Sequence, residues 1–337
     1  MDRDRASSSL LALVVVMALC LLCAAAGLCV GFVSRQRESA EARGKARAEA
    51  DNAFASWLSL YGKNAGADDS PFDAYAGDVS FADASCLASD LSSRINPNWV
   101  DPALFEKTSL GALLKNGVSP SELRQYRADK GFSSDVAVFY SRFFVEGAFE
   151  DALGAYSYAD LNTSDEFALE DLYLEMTGDK SSSGAFHARV RDRRLAVRPV
   201  SVDDLNGFLA PCMDTVFPAI SVSPPMNVNF VSGKTLGALL SYPAFGIGDW
   251  SERRDAVLAA RARRELSMES LYALLGVAKE NPVYRYLGTK TWFWRVSIKN
   301  GASTLDAVAA RIPPRPGHEL GAEKAPEIRV VSREFKP

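Results

Sequence analysis

Twenty-three consecutive residues, Leu10 to Phe32, carry no charge and begin only nine residues into the chain. About 20 apolar residues suffice to cross the hydrocarbon core of a bilayer as a helix. From Ala40 to Tyr61 the chain is rich in Ala, Glu, Arg and Lys, all good helix formers. Its large apolar residues Phe54, Trp57, Leu58 and Tyr61 repeat at the spacing of one helix face. No proline occurs between Met1 and Gly66. The pattern predicts one helix from Leu10 to Tyr61, about 78 Å long at 1.5 Å per residue, with Gly27, Gly31 and Gly44 as its soft points. Such a chain is an apolar spike carrying a large head.

A cleaved secretory leader is the alternative, with Ala24-Ala25-Ala26 as its cleavage site, but leaders have a shorter apolar core. Arg3 and Arg5 flank the run on one side, Arg35 and Arg37 on the other, so flanking charge sets no orientation. Large soluble domains cross regardless of nearby charge, and the head is expected outside the cytoplasm. The net charge of −4 gives no general attraction for nucleic acid. Three of the five cysteines, Cys20, Cys23 and Cys29, fall in the apolar run and read as small hydrophobes. Cys86 and Cys212 remain for the head, a candidate disulfide in an oxidising compartment.

The head, residues 63–337, is long enough for two compact domains. After a polar loop (63–74), Val79 to Leu91 reads as short strands. Pro102 to Leu174 reads as helical, with turns at Asn116-Gly117, Lys130-Gly131 and Asn162-Thr163. Ala185 to Arg198 reads as a hairpin around Arg191-Asp192-Arg193, and Ser201 to Val277 again as mostly helical. Strand character returns at Thr291–Ile298 and Thr304–Ile312, joined by the tight-turn pair Asn300-Gly301. A last strand is expected at Ile328–Val331. Strands bracketing a helical block predict an α+β fold with a helical insertion.

The insertion echoes itself. Ile95-Asn-Pro-Asn-Trp-Val100 precedes Ser109-Leu-Gly-Ala-Leu-Leu114, and Met226-Asn-Val-Asn-Phe-Val231 precedes Thr235-Leu-Gly-Ala-Leu-Leu240. Asparagine side chains hold turns and cap helices, so the echo predicts two related helical modules, at about 102–184 and 200–285. Chance likeness of short apolar helices is the alternative.

The segments Pro224-Pro-Met-Asn-Val-Asn229, Leu236-Gly-Ala-Leu-Leu240, Ala256-Val-Leu-Ala-Ala-Arg261 and Ser270-Leu-Tyr-Ala-Leu-Leu275, in that order, resemble the type II secretion system protein K family of minor pseudopilins. Asp90 to Asn98, Ser201 to Leu205, Trp292 to Ile298 and Leu305 to Arg311 extend the resemblance. No single motif is diagnostic; their order carries it. It implies a long N-terminal helix (7–62), a small antiparallel pilin-like sheet (63–101 and 286–337) and a large helical domain (102–285) inserted into it. It also implies a leader, residues 1–6, cut by a prepilin peptidase between Ala6 and Ser7. Ala6 stands where the family usually has glycine, and Ser7 where Phe or Met commonly follows. Leu11 occupies the position at which most pilin-like subunits carry a glutamate that pairs with a neighbour. The family typically lacks that glutamate, as a subunit with nothing above it should.

The implied role is assembly without catalysis. The face that includes Leu10, Leu11, Val14 and Phe32 would first be solvated by lipid and then pack against other subunits. The head would cap a pseudopilus during protein export. Implied partners are other minor pseudopilins, the major pseudopilin, the prepilin peptidase and the bacterial inner membrane, crossed once with the head in the periplasm. No cofactor is expected. Some family members bind calcium through acidic loops, but no EF-hand spacing occurs here. Asp68/Asp69 and Asp203/Asp204 read as solvated loops or helix caps.

An enzyme is not expected. The two histidines, His187 and His318, stand apart, and no H-E-x-x-H, G-x-S-x-G or P-loop is present. Two other readings share much of the pattern. One is a membrane-anchored helix-hairpin-helix DNA receptor, with Pro243-Ala-Phe-Gly-Ile-Gly248 as the turn and the arginines between 253 and 264 as its basic face. The other is a minor pilin of a type IV pilus.

Overall fold

The computed structural model describes residues 2–64, 66, 68–81, 84–209, 219–301, 303–314, 316 and 327–336, with side chains in the first helix from Val16 to Lys63. Helix α1 runs unbroken over Asp2–Asn64, about 95 Å at 1.5 Å per residue. It has two unlike parts. From Val16 to Lys45 every side chain is exposed. Beyond that, Ala50, Ala53, Phe54, Trp57 and Tyr61 are all buried, at the helical intervals expected of one face.

That face lies on a five-stranded antiparallel sheet of order β1-β2-β7-β8-β9. The strands are β1 (Gly77–Phe81), β2 (Ala84–Asp90), β7 (Phe293–Asn300), β8 (Ser303–Arg311) and β9 (Ile328–Lys336). Two-residue strands β3 (Ala159–Asp160), β4 (Ile220–Ser221), β5 (Met226–Asn227) and β6 (Leu287–Gly288) pair elsewhere, in parallel. Alternation along β2 and β7 points Cys86, Ala88, Trp294, Val296 and Ile298 at the helix, as the two-residue period of a strand dictates. The turn between β7 and β8 uses Gly301 at φ +58°, the left-handed backbone that Asn-Gly pairs supply. Strand β9, longer than expected, runs the length of β8, and Arg333 pairs with Asp51 of α1.

Strands β2 and β7 are hydrogen-bonded neighbours, yet residues 91–292 lie between them in the chain. The α+β fold with a long helix, antiparallel sheet and inserted helical domain is therefore the observed one. The chain leaves the sheet at Leu91, earlier than Pro102, because Ile95 to Val100 already belongs to the helical domain's core.

That domain has two cores. The larger joins residues 95–153 to 226–287. A separate lobe between them in sequence is built on Leu169, Tyr173, Phe186, Val190, Leu205 and Ile220. The expected modules at 102–184 and 200–285 each cut through this lobe; the repeated units are 95–153 and 226–287. The hairpin expected at Ala185–Arg198 is instead part of a helix, Lys180–Leu195. Asp179 caps it through the Ser181 and Ser182 amides, and Phe186 and Val190, four apart, bury one face. Its partner is the helix Glu166–Thr177.

Candidate assembly surface and its anchor

The echo proves to be a repeat in hydrogen-bond detail. Asn98 N donates to Asn96 Oδ1 at 3.0 Å and Asn229 N to Asn227 Oδ1 at 2.9 Å. The Val100 and Val231 amides donate to the Asn96 and Asn227 carbonyls. The Asn98 amide group spans the Ser133 backbone N and O, as Asn229 spans those of Leu266. Arg127 Nη1 donates to the Pro97 and Val100 carbonyls, and Arg261 Nη1 to those of Val228 and Val231. Ile95 pairs in parallel with Leu153, and Met226 with Leu287. The following glycines sit alike: a Cβ on Gly154 would meet Arg94, and one on Gly288 would meet Pro224, each at 3.1 Å.

The asparagines hold the turns but do not cap the helices. That role falls to Asp101, before Pro102–Lys107, and to Ser232, before Gly233–Leu240. The two Leu-Gly-Ala-Leu-Leu segments are not equivalent. Ser109–Leu113 is a 3-10 turn after the first helix of its repeat, whereas Thr235–Leu240 lies inside the corresponding helix.

The joint between spike, sheet and repeats is a buried polar cluster. Arg311 Nη1 lies 3.1 Å from Asp69 Oδ2, with side chains 2% and 0% exposed. Arg311 Nε donates to Tyr61 Oη of α1 at 2.9 Å. Tyr75 Oη donates to Asp69 Oδ1 at 2.7 Å, and Thr291 N to Asp69 Oδ2 at 2.7 Å. The backbone carbonyl of Asp69 accepts from both Asn227 and Asn229 Nδ2. One loop residue thus ties α1, β8, the entry to β7 and the second repeat. Burial pushes the Asp69 carboxyl above its ordinary range while Arg311 pulls it down. Burial also raises the Tyr61 and Tyr75 hydroxyls, which keeps both protonated at neutral pH. Asp69, which its sequence context places in a solvated loop or helix cap, is instead fully buried, because Arg311, far along the chain, supplies its counter-charge. Asp204 closes a short turn, its amide donating to the Ser201 carbonyl and its carboxylate accepting from Ser201 N at 2.9 Å.

A second buried carboxylate lies in the lobe. Asp160 Oδ2 accepts from Thr163 Oγ1 at 2.6 Å, while Oδ1 has no hydrogen-bond partner among the described residues. Burial pushes this carboxyl up to about 7, against the lowering by Thr163. A raised folded-state pKa stabilises the protein fully below the unfolded value and loses that stabilisation as pH rises through about 7. Stability should therefore fall by about 2–3 kcal/mol between about pH 5 and pH 8. Denaturant unfolding at the two pH values measures the fall, and Asp160→Asn should flatten it. An unchanged slope in the variant excludes Asp160 as its source.

The expected site residues fall as follows. Ala6, Ser7, Leu10, Leu11 and Val14 lie within the helical span of α1, and their side chains are outside the described residues. Phe32 is 63% exposed, in a band of exposed apolar side chains from Val16 to Val33. Cys86 is a buried free thiol under α1, pushed up to about 12 by burial; Cys212 lies outside the described residues, as does His318. His187 Nδ1, on the helix Lys180–Leu195, lies 2.7 Å from Glu170 on the helix Glu166–Thr177. No group of three or more potential metal-ligating side chains occurs among the described residues. Among the described residues α1 is the one helix long and apolar enough to cross a membrane.

The class this geometry defines is a spike-and-head subunit: a helix half free and half laid on an antiparallel sheet. No protein-family model and no curated protein matches the chain. Among solved structures it is similar to a chain of the GspK–GspI–GspJ complex from the type 2 secretion system of enterotoxigenic Escherichia coli. The match has 12% identity, covers 90% of this chain and 99% of that chain, and has a TM-score of 0.36.

Proposed function

We propose that the chain is a minor pseudopilin that caps the tip of a secretion pseudopilus and takes part in its assembly. One observation carries the reading. A domain of some 200 residues is inserted between adjacent strands of a sheet that sits at the far end of a half-free apolar helix. In the bacterial inner membrane the exposed band from Val16 to Val33 is covered by lipid, with the head in the periplasm. In a fibre the same band is covered by the helices of other subunits, among them minor and major pseudopilins. The large head then leaves no room for a further subunit above it. Cleavage by a prepilin peptidase before Ser7 frees the spike for that transfer. The role needs no catalytic group and no cofactor.

The DNA-receptor reading is less well supported. Arg261 is turned inward onto the Val228 and Val231 carbonyls. Arg253 reaches the Leu274 carbonyl, and Arg254 pairs with Asp255. Three of the arginines that would meet phosphate are thus already engaged.

Mass analysis of the mature chain, with co-isolation from detergent extracts, tests the proposal. A chain beginning at Ser7 that brings down other pilin-like subunits is the expected result. A mature chain beginning near Ala26, with the spike removed, overturns it.

A further inference from the structure

A cleft of about 670 Å³ opens between the lobe and the second repeat, walled by residues 197–201 and 222–224 on one side and by 268, 272, 279–281, 284–285 and 288–290 on the other. Nothing in the assembly role uses it. Its volume lies within the range of pockets that hold small ligands or short peptide segments. Its charge is opposite in sign to that of the whole chain: Arg198, Lys279, Arg285 and Lys290 line it, against Glu280 alone among the described lining residues, while the chain carries −4 overall. The cations are held in different ways. Lys279 Nζ stands 5.0 Å from the Tyr272 ring centroid. Arg285 Nη2 bridges to the Val197 carbonyl at 3.1 Å, joining the two walls. Burial lowers the Lys290 ammonium, so an incoming anion there would restore a favourable charge environment. The Trp292 indole, itself buried, donates to the Pro224 carbonyl at 2.8 Å and so fixes the position of that proline in the wall.

We infer that this cleft binds an extended acidic peptide segment of another protein. Basic side chains set beside Tyr272, Pro199 and Pro224 provide both the charge partners and the apolar contacts that such a segment requires. A lipid headgroup does not fit the placement: Tyr61, at the base of the head, stands about 44 Å along the helix from Phe32. That exclusion rests on the membrane reading proposed above.

The test uses the full chain in detergent micelles and a fluorescent octapeptide of alternating glutamate and alanine. An otherwise identical peptide with glutamine for glutamate is the control. The glutamate peptide is expected to bind at least about tenfold more tightly, and less tightly as salt is added. The double variant Arg198→Glu/Lys279→Glu should weaken it by about tenfold or more, whereas Arg263→Glu/Arg264→Glu, outside the cleft, should change it less than about twofold. Equal binding of the two peptides, or equal loss in both double variants, overturns the site. Tighter binding of a single-stranded oligonucleotide of the same charge overturns the peptide assignment. Co-isolation with pilin-like subunits should survive Arg198→Glu/Lys279→Glu. Its failure in the unaltered chain, with peptide binding intact, would sink the assembly reading alone.

Discussion

Asp69→Ala is expected to lower stability by about 3–5 kcal/mol, the range for removing one partner of a buried ion pair. The midpoint of thermal unfolding should fall by on the order of 10 °C. The loss has three sources. Arg311, only 2% exposed, is left without its carboxylate. Tyr75 Oη and Thr291 N lose their acceptor. The loop also loses its hold, and with it the position of the carbonyl on which Asn227 and Asn229 converge. The paired variant Asp69→Leu/Arg311→Met should be more stable than Asp69→Ala, since no buried charge is then orphaned. A loss below about 1 kcal/mol for Asp69→Ala, the range of exposed pairs, would mean the cluster is solvated and the joint lies elsewhere.

Nothing in the sequence marks Asp69 as special. It follows Asp68 in a polar stretch, and its partner stands 242 residues away. Pattern reading sees neighbours and periods, and a charge pair closed by topology has neither. The same limit explains the helix Lys180–Leu195. Ala185-Phe-His-Ala-Arg-Val-Arg191 alternates locally in a way that suits a strand, but Phe186 and Val190 also share a helix face. The Asp179 cap and the packing against the helix Glu166–Thr177 decide between the two. Where period and punctuation agree, the reading succeeds. The Asn300-Gly301 turn between two alternating strands falls where expected, and the buried face of α1 uses Phe54, Trp57 and Tyr61. The echo shows both outcomes. Its asparagines form repeat-defining turns because their side chains bond locally. The Leu-Gly-Ala-Leu-Leu segments look alike only because short apolar helices draw on the same few residues. The spike was legible from hydropathy alone; the anchoring cluster and the cleft required the fold.

Trp57→Ala should cost about 3–5 kcal/mol, as large-to-small changes at fully buried aromatics do, but its reach should differ from that of Asp69→Ala. The Trp57 ring stacks on Tyr61 at 5.2 Å and meets Trp294 edge-on at 6.4 Å. Its Nε1 donates to the Tyr75 carbonyl at 2.8 Å. All these partners belong to the helix–sheet core, which shares no residue with the core of the repeats. Calorimetry should show the transition of the spike and sheet lowered, while that of the helical domain holds within about 0.5 kcal/mol, as for distant sites without shared partners. Asp69→Ala should lower both, because Asp69 is bonded to both bodies. If Trp57→Ala instead lowers one single transition for the whole head, the sheet and the inserted domain unfold as a unit. The insertion would then depend on the spike for its folding as well as for its placement at the end of the fibre.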